Sequence, residues 1–285
     1  MSATPQPGML PSGTLAGRVA LVTGGGTGLG RAIAIELARA GASIIIASRN
    51  EAHRAQGVSS VEAVGARGFG VALDVRDPDL IDAAFDQAEA LAGPVDLLVN
   101  NAAANFFSPA EDITPNGWSA VIDRVLTGAF LCSRAFARRR LGKGDGAIVN
   151  IAATTGLLGG PGVAHSGAAK AGVINLTRSL AAEWARDGIR VNAVAPGRFI
   201  HDDGDEAIRA ARRGWEDTAA RVPVGRGGEP REIGWLVSYL LSPYAGFITG
   251  QTIAIDGGGS LQQWVGAQPF VPPRDQLAQG REETK

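Results

Sequence analysis

The chain has 285 residues, 45% apolar and 19% charged, with a formal net charge of −1 and a pI near 6.3. That length supports one globular domain with a large core, and the charge balance gives no sign of a nucleic-acid partner. No apolar run approaches the ~20 residues of a membrane span. The single cysteine, Cys132, excludes an internal disulfide and fits a reducing cytosol.

In chain order, residues 1–14 are rich in Pro, Ser and Gly and read as a loose arm, not a signal peptide. A domain is expected over 15–262, followed by a loosely held tail over 263–285 that ends Glu-Thr-Lys, which is no peroxisomal address. Strands are expected at Arg18–Thr23, Ser43–Ala47, Gly70–Leu73, Val95–Asn100, Ala147–Ile151, Arg190–Ala195 and Thr252–Ile255. They are continuous apolar runs, as in a parallel sheet covered on both faces. Helices are expected between them, at Arg31–Ala40, Glu51–Val64, Pro78–Leu91, Asn116–Arg140, Gly167–Arg186 and Pro230–Leu241. Asp77-Pro78 and Thr114-Pro115 are each a capping residue followed by proline in the first helical turn. Cys132 falls in an apolar helical stretch and reads as a buried structural thiol. Arg198–Arg221 is long, charged and helix-prone, and reads as a substrate lid. Strand–helix alternation gives an α/β fold: a single-domain, doubly wound parallel sheet of the Rossmann kind, with ligands at the carboxyl ends of the strands.

The segment Thr23-Gly24-Gly25-Gly26-Thr27-Gly28-Leu29-Gly30 follows the first strand and opens the first helix. Glycines there let backbone amides approach a pyrophosphate, and the helix N-terminus adds favourable partial charge. Thr23, Gly24, Gly26, Thr27, Gly28 and Leu29 are therefore cofactor candidates. At the tip of the second strand, where a carboxylate would bind the ribose hydroxyls of NAD, stand Ser48 and Arg49. Arg49 can clamp a 2′-phosphate, so NADPH is expected. Asp74 and Val75 are placed to flank the adenine, and Asn101 and Ala102 to lie against the cofactor. Pro196-Gly197 would bring Arg198 and Phe199 against the nicotinamide carboxamide.

Together these residues resemble the short-chain dehydrogenase/reductase family, from about Leu15 to Gly259. Further marks are Asn100-Asn101-Ala102-Ala103, Lys170 on its helix, Arg190-Val191-Asn192 and Asp256-Gly257-Gly258. The family's serine after the fifth strand corresponds to Ala153, its tyrosine to Ser166 and its helix asparagine to Val125, leaving Lys170 alone. A carbonyl reductase needs an acid for the nascent alkoxide, and both tyrosines, Tyr239 and Tyr244, lie far downstream.

The 2,4-dienoyl-CoA reductase branch resembles this chain at Asp74–Asp79, at Asn100–Phe106 with Ser108-Pro109, at His165–Lys170, and at Ala181–Trp184. His165-Ser166-Gly167 is closer to the peroxisomal type than to the mitochondrial one. The resemblance implies NADPH-dependent reduction of a conjugated acyl-CoA thioester, an auxiliary step of unsaturated fatty acid β-oxidation. Hydride adds at C5, and negative charge gathers on the thioester oxygen. It implies catalytic roles for Lys170, Ser166 and Asn105, with Asn105 the oxyanion donor, and substrate contacts from Arg76, Asn105, Phe106, Thr114, Thr155 and Arg209. Neither branch proton donor is matched, since the mitochondrial tyrosine position is Thr155 and the peroxisomal aspartate position is Val125, while Asp123 faces away. Ordered water held by Asn105, Ser166 or Thr155 is one source of the proton; His165 as a relay and His165 as a packed ring both fit. A cytoplasmic homo-oligomer, a tetramer, is expected, without metal. Two other readings stay open: a reductase of the same fold acting on another activated alkene or carbonyl, and a non-catalytic NADPH-binding protein.

Overall fold

The computed structural model describes residues 8–199 and 222–262. Seven strands form one parallel sheet in the order β3-β2-β1-β4-β5-β6-β7. They are β1 (Val19–Thr23), β2 (Ser43–Ser48), β3 (Gly68–Ala72), β4 (Leu97–Asn100), β5 (Gly146–Ile151), β6 (Ile189–Pro196) and β7 (Thr252–Ile255). The order reverses direction between β1 and β4, where Ala20, Leu21 and Val22 pair with Leu97, Leu98 and Val99. A doubly wound sheet opens its ligand crevice at such a switch point.

The helices are α1 (Gly28–Arg39), α2 (Glu51–Glu62), α3 (Pro78–Ala92), α4 (Pro115–Ile122), α5 (Gly128–Arg140), the short α6 (Thr154–Leu158), α7 (Ala164–Trp184) and α8 (Pro230–Leu241). Because strand side chains alternate, β1 feeds two cores. Val19 and Leu21 pack with Ile81, Phe85, Phe136 and Trp184 under α3, α5 and α7. Ala20 and Val22 pack with Ile33, Leu37, Ile233 and Leu240 under α1 and α8. Five of the described strands, β1, β2, β4, β5 and β6, are almost wholly buried, as continuous apolar runs require. The edge strands β3 and β7 are half-exposed, so covering on both faces does not extend to the rims.

Helix starts follow the expected capping chemistry. Asp77 accepts from the amides of Asp79 and Leu80 at 3.0 and 3.2 Å, and Thr114 accepts from Gly117 at 3.1 Å. Two expectations need correction. The helix expected over Asn116–Arg140 is divided by a π-helical turn, Asp123–Thr127, closed by the Gly128 amide on the Asp123 carbonyl. The helix expected from Gly167 begins one turn earlier, at Ala164, which puts His165 and Ser166 inside its first turn. Cys132 is fully buried, and burial pushes its thiol up to about 12, so it is an inert core group as read. Among the described residues no helix is long and apolar enough to cross a membrane.

Candidate active site

A cleft of about 740 Å³ lies at the switch point, within the usual range for small-molecule sites. Its floor is the glycine loop between β1 and α1, with Gly24, Thr27, Gly28 and Leu29 lining it. A Cβ on Gly30 would stand 2.3 Å from the Gly24 carbonyl oxygen and 2.4 Å from Asn101 Nδ2, so α1 can begin this close to the loop only with glycine there. Gly26 has a different role from the one expected. Its Cβ would stand 2.1 Å from the His53 carbonyl oxygen, so Gly26 is required by the approach of α2 and does not line the cleft.

Thr23 is likewise a tie rather than a lining residue. Its hydroxyl donates to the Val99 carbonyl at 3.2 Å and accepts from the amides of Asn101 and Ala102, each at 2.9 Å. Asn101 returns the tie, donating to the carbonyls of Thr23 and Gly24 at 3.0 and 3.2 Å. Asn101 and Ala102 are thereby held on the cleft wall. Beneath them runs a buried amide ladder that sequence reading missed. Asn100 donates to Ser133 at 2.9 Å and to Asn150 at 2.8 Å, and Asn150 donates to Thr177 at 2.9 Å. It joins β4 and β5 to α5 and α7 directly under the site.

One end of the cleft is rich in arginine. Arg49, Asp74 and Val75 line it. Asp74 accepts from Arg76 Nε at 3.0 Å and Nη2 at 2.7 Å, and Arg49 Nη1 lies 3.7 Å away. The Arg76 hydrogen bonds, with the charge of Arg49 adding, hold the Asp74 carboxyl down to about 2. Arg76 itself turns to Asp74 and does not line the cleft. Arg124, from the π turn, does line it. No motif singles Arg124 out in the sequence, where it follows Asp123 between the apolar pairs Val121-Ile122 and Val125-Leu126.

The other end holds the catalytic candidates. Lys170, Ser166, Asn105 and Thr155 all line the cleft, with Ala153 beside them. Lys170 is buried, and its ammonium donates to the Ile151 carbonyl where β5 ends. Burial lowers its pKa to about 8. Ser166 precedes it by one helical turn on the same face. Asn105 Oδ1 accepts from the Phe106 amide at 3.0 Å, which leaves the amide NH₂ for a ligand. Thr155 is carried by α6, a helix the sequence pattern does not announce.

Four further expected contacts, Phe106, Thr114, Arg198 and Phe199, are not on the cleft. Phe106 lies over His165 instead, with ring centroids 4.1 Å apart. His165 is fully buried, neither ring nitrogen has a hydrogen-bond partner among the described residues, and burial lowers its pKa, so it is a packed neutral ring. Thr114 caps α4. Phe199 points into the core, 4% exposed, while Pro196 and Gly197 do line the cleft. Asp123 is exposed and away from the cleft, as read. Val125 packs against Val121, Ala129, Ala169 and Val173. Arg209 and the body of the expected lid lie outside the described residues. No cluster of metal-ligating side chains occurs among the described residues.

The geometry fits a nicotinamide dinucleotide: a glycine floor at a helix N-terminus, small residues on the wall, and a buried lysine at the far end. Comparison with known proteins agrees. The family model described as enoyl-(acyl carrier protein) reductase matches residues 24–260. The chain is 40% identical over 255 residues to a protein of Bacillus subtilis (strain 168) named probable 2,4-dienoyl-CoA reductase [(2E)-enoyl-CoA-producing], covering 89% of this chain and 99% of that protein. It is 41% identical over 244 residues to the 3-oxoacyl-[acyl-carrier-protein] reductase of Vibrio cholerae, covering 86% and 98%. A solved short chain dehydrogenase from Bacillus anthracis superimposes with a TM-score of 0.78 at 41% identity, over 87% of this chain and 98% of that one. With a Rossmann sheet, a glycine-floored cleft and a family match over nearly its whole described length, the chain belongs to the short-chain dehydrogenase/reductase family of oxidoreductases.

Proposed function

We propose that this protein uses NADPH to reduce 2,4-dienoyl-CoA thioesters. The observation that carries the reading is the composition of the reaction end. Lys170 is in place, but no tyrosine lines the cleft: Tyr239 belongs to α8 and Tyr244 to the exposed turn after it. Identity alone does not separate a dienoyl thioester reductase from a ketone reductase, because the two named relatives are equally similar. The site does. Ketone reduction makes an alkoxide that must be protonated at oxygen by a nearby acid, whereas reduction of a conjugated thioester makes a delocalised dienolate that needs hydrogen-bond donors at its oxygen.

A bound nicotinamide supplies the hydride. The side chains do the rest. Asn105 offers its amide NH₂ to the thioester oxygen as charge develops there. Lys170, charged below about pH 8, lies one turn from Ser166 and adds positive potential at the reaction end. Arg49 recognises the 2′-phosphate that distinguishes NADPH. Thr155 and Ser166 hold water in reach of the acyl carbons. The position of the proton is readable in the product: delivery to Cα gives a 3-enoyl thioester, delivery to Cγ a 2-enoyl thioester, and the Bacillus subtilis relative is named for the second. Exposed Trp118 and Phe130 on α4 and α5 support a homotetramer, the assembly expected from the family.

The test mixes purified protein, NADPH and a short 2,4-dienoyl-CoA and follows both chromophores, with Lys170→Ala alongside. Loss of both, abolished by the substitution, is the expected result. Faster turnover of a 3-ketoacyl thioester would overturn the reading.

A further inference from the structure

We propose that Arg124 is the second arm of a receptor for a phosphate monoester on an adenosine ribose, formed with Arg49 beside the Asp74–Arg76 pair. The inference rests on the nucleotide-dependent reading above and adds to it a residue that no motif marks.

The four side chains come from three places: Arg49 after β2, Asp74 and Arg76 after β3, and Arg124 from the π turn between α4 and α5. Arg76 pairs with Asp74, and Asp123 adds its charge beside Arg76, which leaves Arg49 and Arg124 as the guanidiniums that line the cleft here. Asp74 carries a single negative charge, already matched by Arg76 on both of its oxygens, with Arg49 close to one of them. Arg124 makes no hydrogen bond or ion pair with any described residue, although it lines the cleft and is partly buried. The charges that weigh most on it are Arg49 and Arg76, and both, like burial, disfavour its cationic form. An arginine serving only as a solvated helix face would reach for a carboxylate or open water. Arg124 instead adds a second cation to the concave wall that Arg49 lines.

A phosphate monoester is the matching ligand. It carries close to two negative charges at neutral pH and three terminal oxygens, enough for the forks of several guanidiniums. The bridging pyrophosphate of a dinucleotide is served separately, by the glycine loop and the start of α1. Asp74 and Val75 share this end of the cleft, so the ribose is the part of the nucleotide within reach. Two sources have this chemistry: the 2′-phosphate of NADPH and the 3′-phosphate of coenzyme A.

Calorimetric titration of the full-length protein with adenosine 5′-monophosphate, adenosine 2′,5′-bisphosphate and adenosine 3′,5′-bisphosphate separates them. One bisphosphate is expected to bind at least about tenfold more tightly than the monophosphate, as charge-assisted hydrogen bonds allow. Arg124→Leu is expected to remove most of that preference while changing monophosphate affinity by less than about twofold, and Arg124→Lys to retain part of it. The better bisphosphate identifies the source. Equal weakening for all three nucleotides, an unchanged preference in Arg124→Leu, or no preference in the wild-type protein would each overturn the inference. If thermal melting shows Arg124→Leu to be unfolded, Arg124→Gln and Arg124→Lys decide by the same ratio. Dienoyl turnover by the wild-type protein together with an unchanged preference in the variant sinks this inference alone. A lost preference without dienoyl turnover sinks the function alone.

Discussion

The two ends of the cleft handle charge in opposite ways. At the arginine end charge is plentiful, half-exposed and locally paired: Arg49 and Arg76 keep 52% and 41% of their side-chain surface in solvent. At the reaction end a single ammonium, Lys170, lies at 8% exposure, surrounded by neutral groups. Screening makes exposed charges good for recognising a ligand's phosphates at little cost to the fold. Burial makes the lone lysine a strong source of potential and a destabilising presence. Recognition and chemistry are therefore separable in this molecule, and substitutions at the two ends should change different quantities.

The largest expected effect is at the reaction end. Asn105→Ala should lower kcat with a dienoyl thioester by roughly 10²-fold or more, the usual cost of one oxyanion donor. NADPH affinity, read by the quenching of protein fluorescence, should move far less. A matching loss in both would dissolve the separation between the ends.

At the arginine end the expected effect is smaller and of another kind. Arg49→Gln should reduce the preference for NADPH over NADH by roughly 10–100-fold, the value of about 1.5–3 kcal/mol for hydrogen bonds to a charged group. The measurement is the ratio of kcat/KM for the two cofactors. An unaltered ratio would move the phosphate away from Arg49.

The smallest effect sharpens the contrast through pH. The lysine's folded pKa, about 8, lies below its ordinary 10.5. Between those values the unfolded chain binds more protons, so folding stability rises with pH across that window. The cost of burying the charge is fully present below about pH 8 and gone above 10.5. Lys170→Met should thus be more stable than wild type in urea at pH 7, with the gap closing toward pH 10.5. A gap that is constant with pH would mean that burial leaves the lysine's pKa at its unfolded value. Wild-type activity should meanwhile decline as pH rises through about 8.

Much of this was legible in the chain. Continuous apolar strands, glycine punctuation and Asp-Pro and Thr-Pro caps specify a doubly wound sheet, because each is local chemistry. Most cofactor-loop, Lys170, Ser166, Asn105 and Thr155 assignments also fall on the cleft, since motif residues adjoin strand ends. What escaped depends on contacts distant in sequence. The π turn leaves no break in the apolar stripe, because Val121, Val125 and Ala129 keep a spacing of four and are all buried. The orientation of Phe199 is set by Gly228, where a Cβ would stand 2.6 Å from its ring. Gly26 reads as a phosphate glycine until α2 is seen leaning on it. Arg124 becomes a site residue only because the π turn and two loops converge.

That π turn has a consequence for how the protein can change. One extra residue in a helical turn rotates everything beyond it by about 100° relative to what precedes it. The helix thus carries two independent angular frames joined at Asp123–Thr127. Substitutions on α4 and on α5 can drift separately, and a one-residue deletion in the joint would bring the two frames into phase, turning an apolar neighbour toward the nucleotide and Arg124 away from it. The joint is the hinge on which ligand choice could be rewritten while the sheet stays as it is.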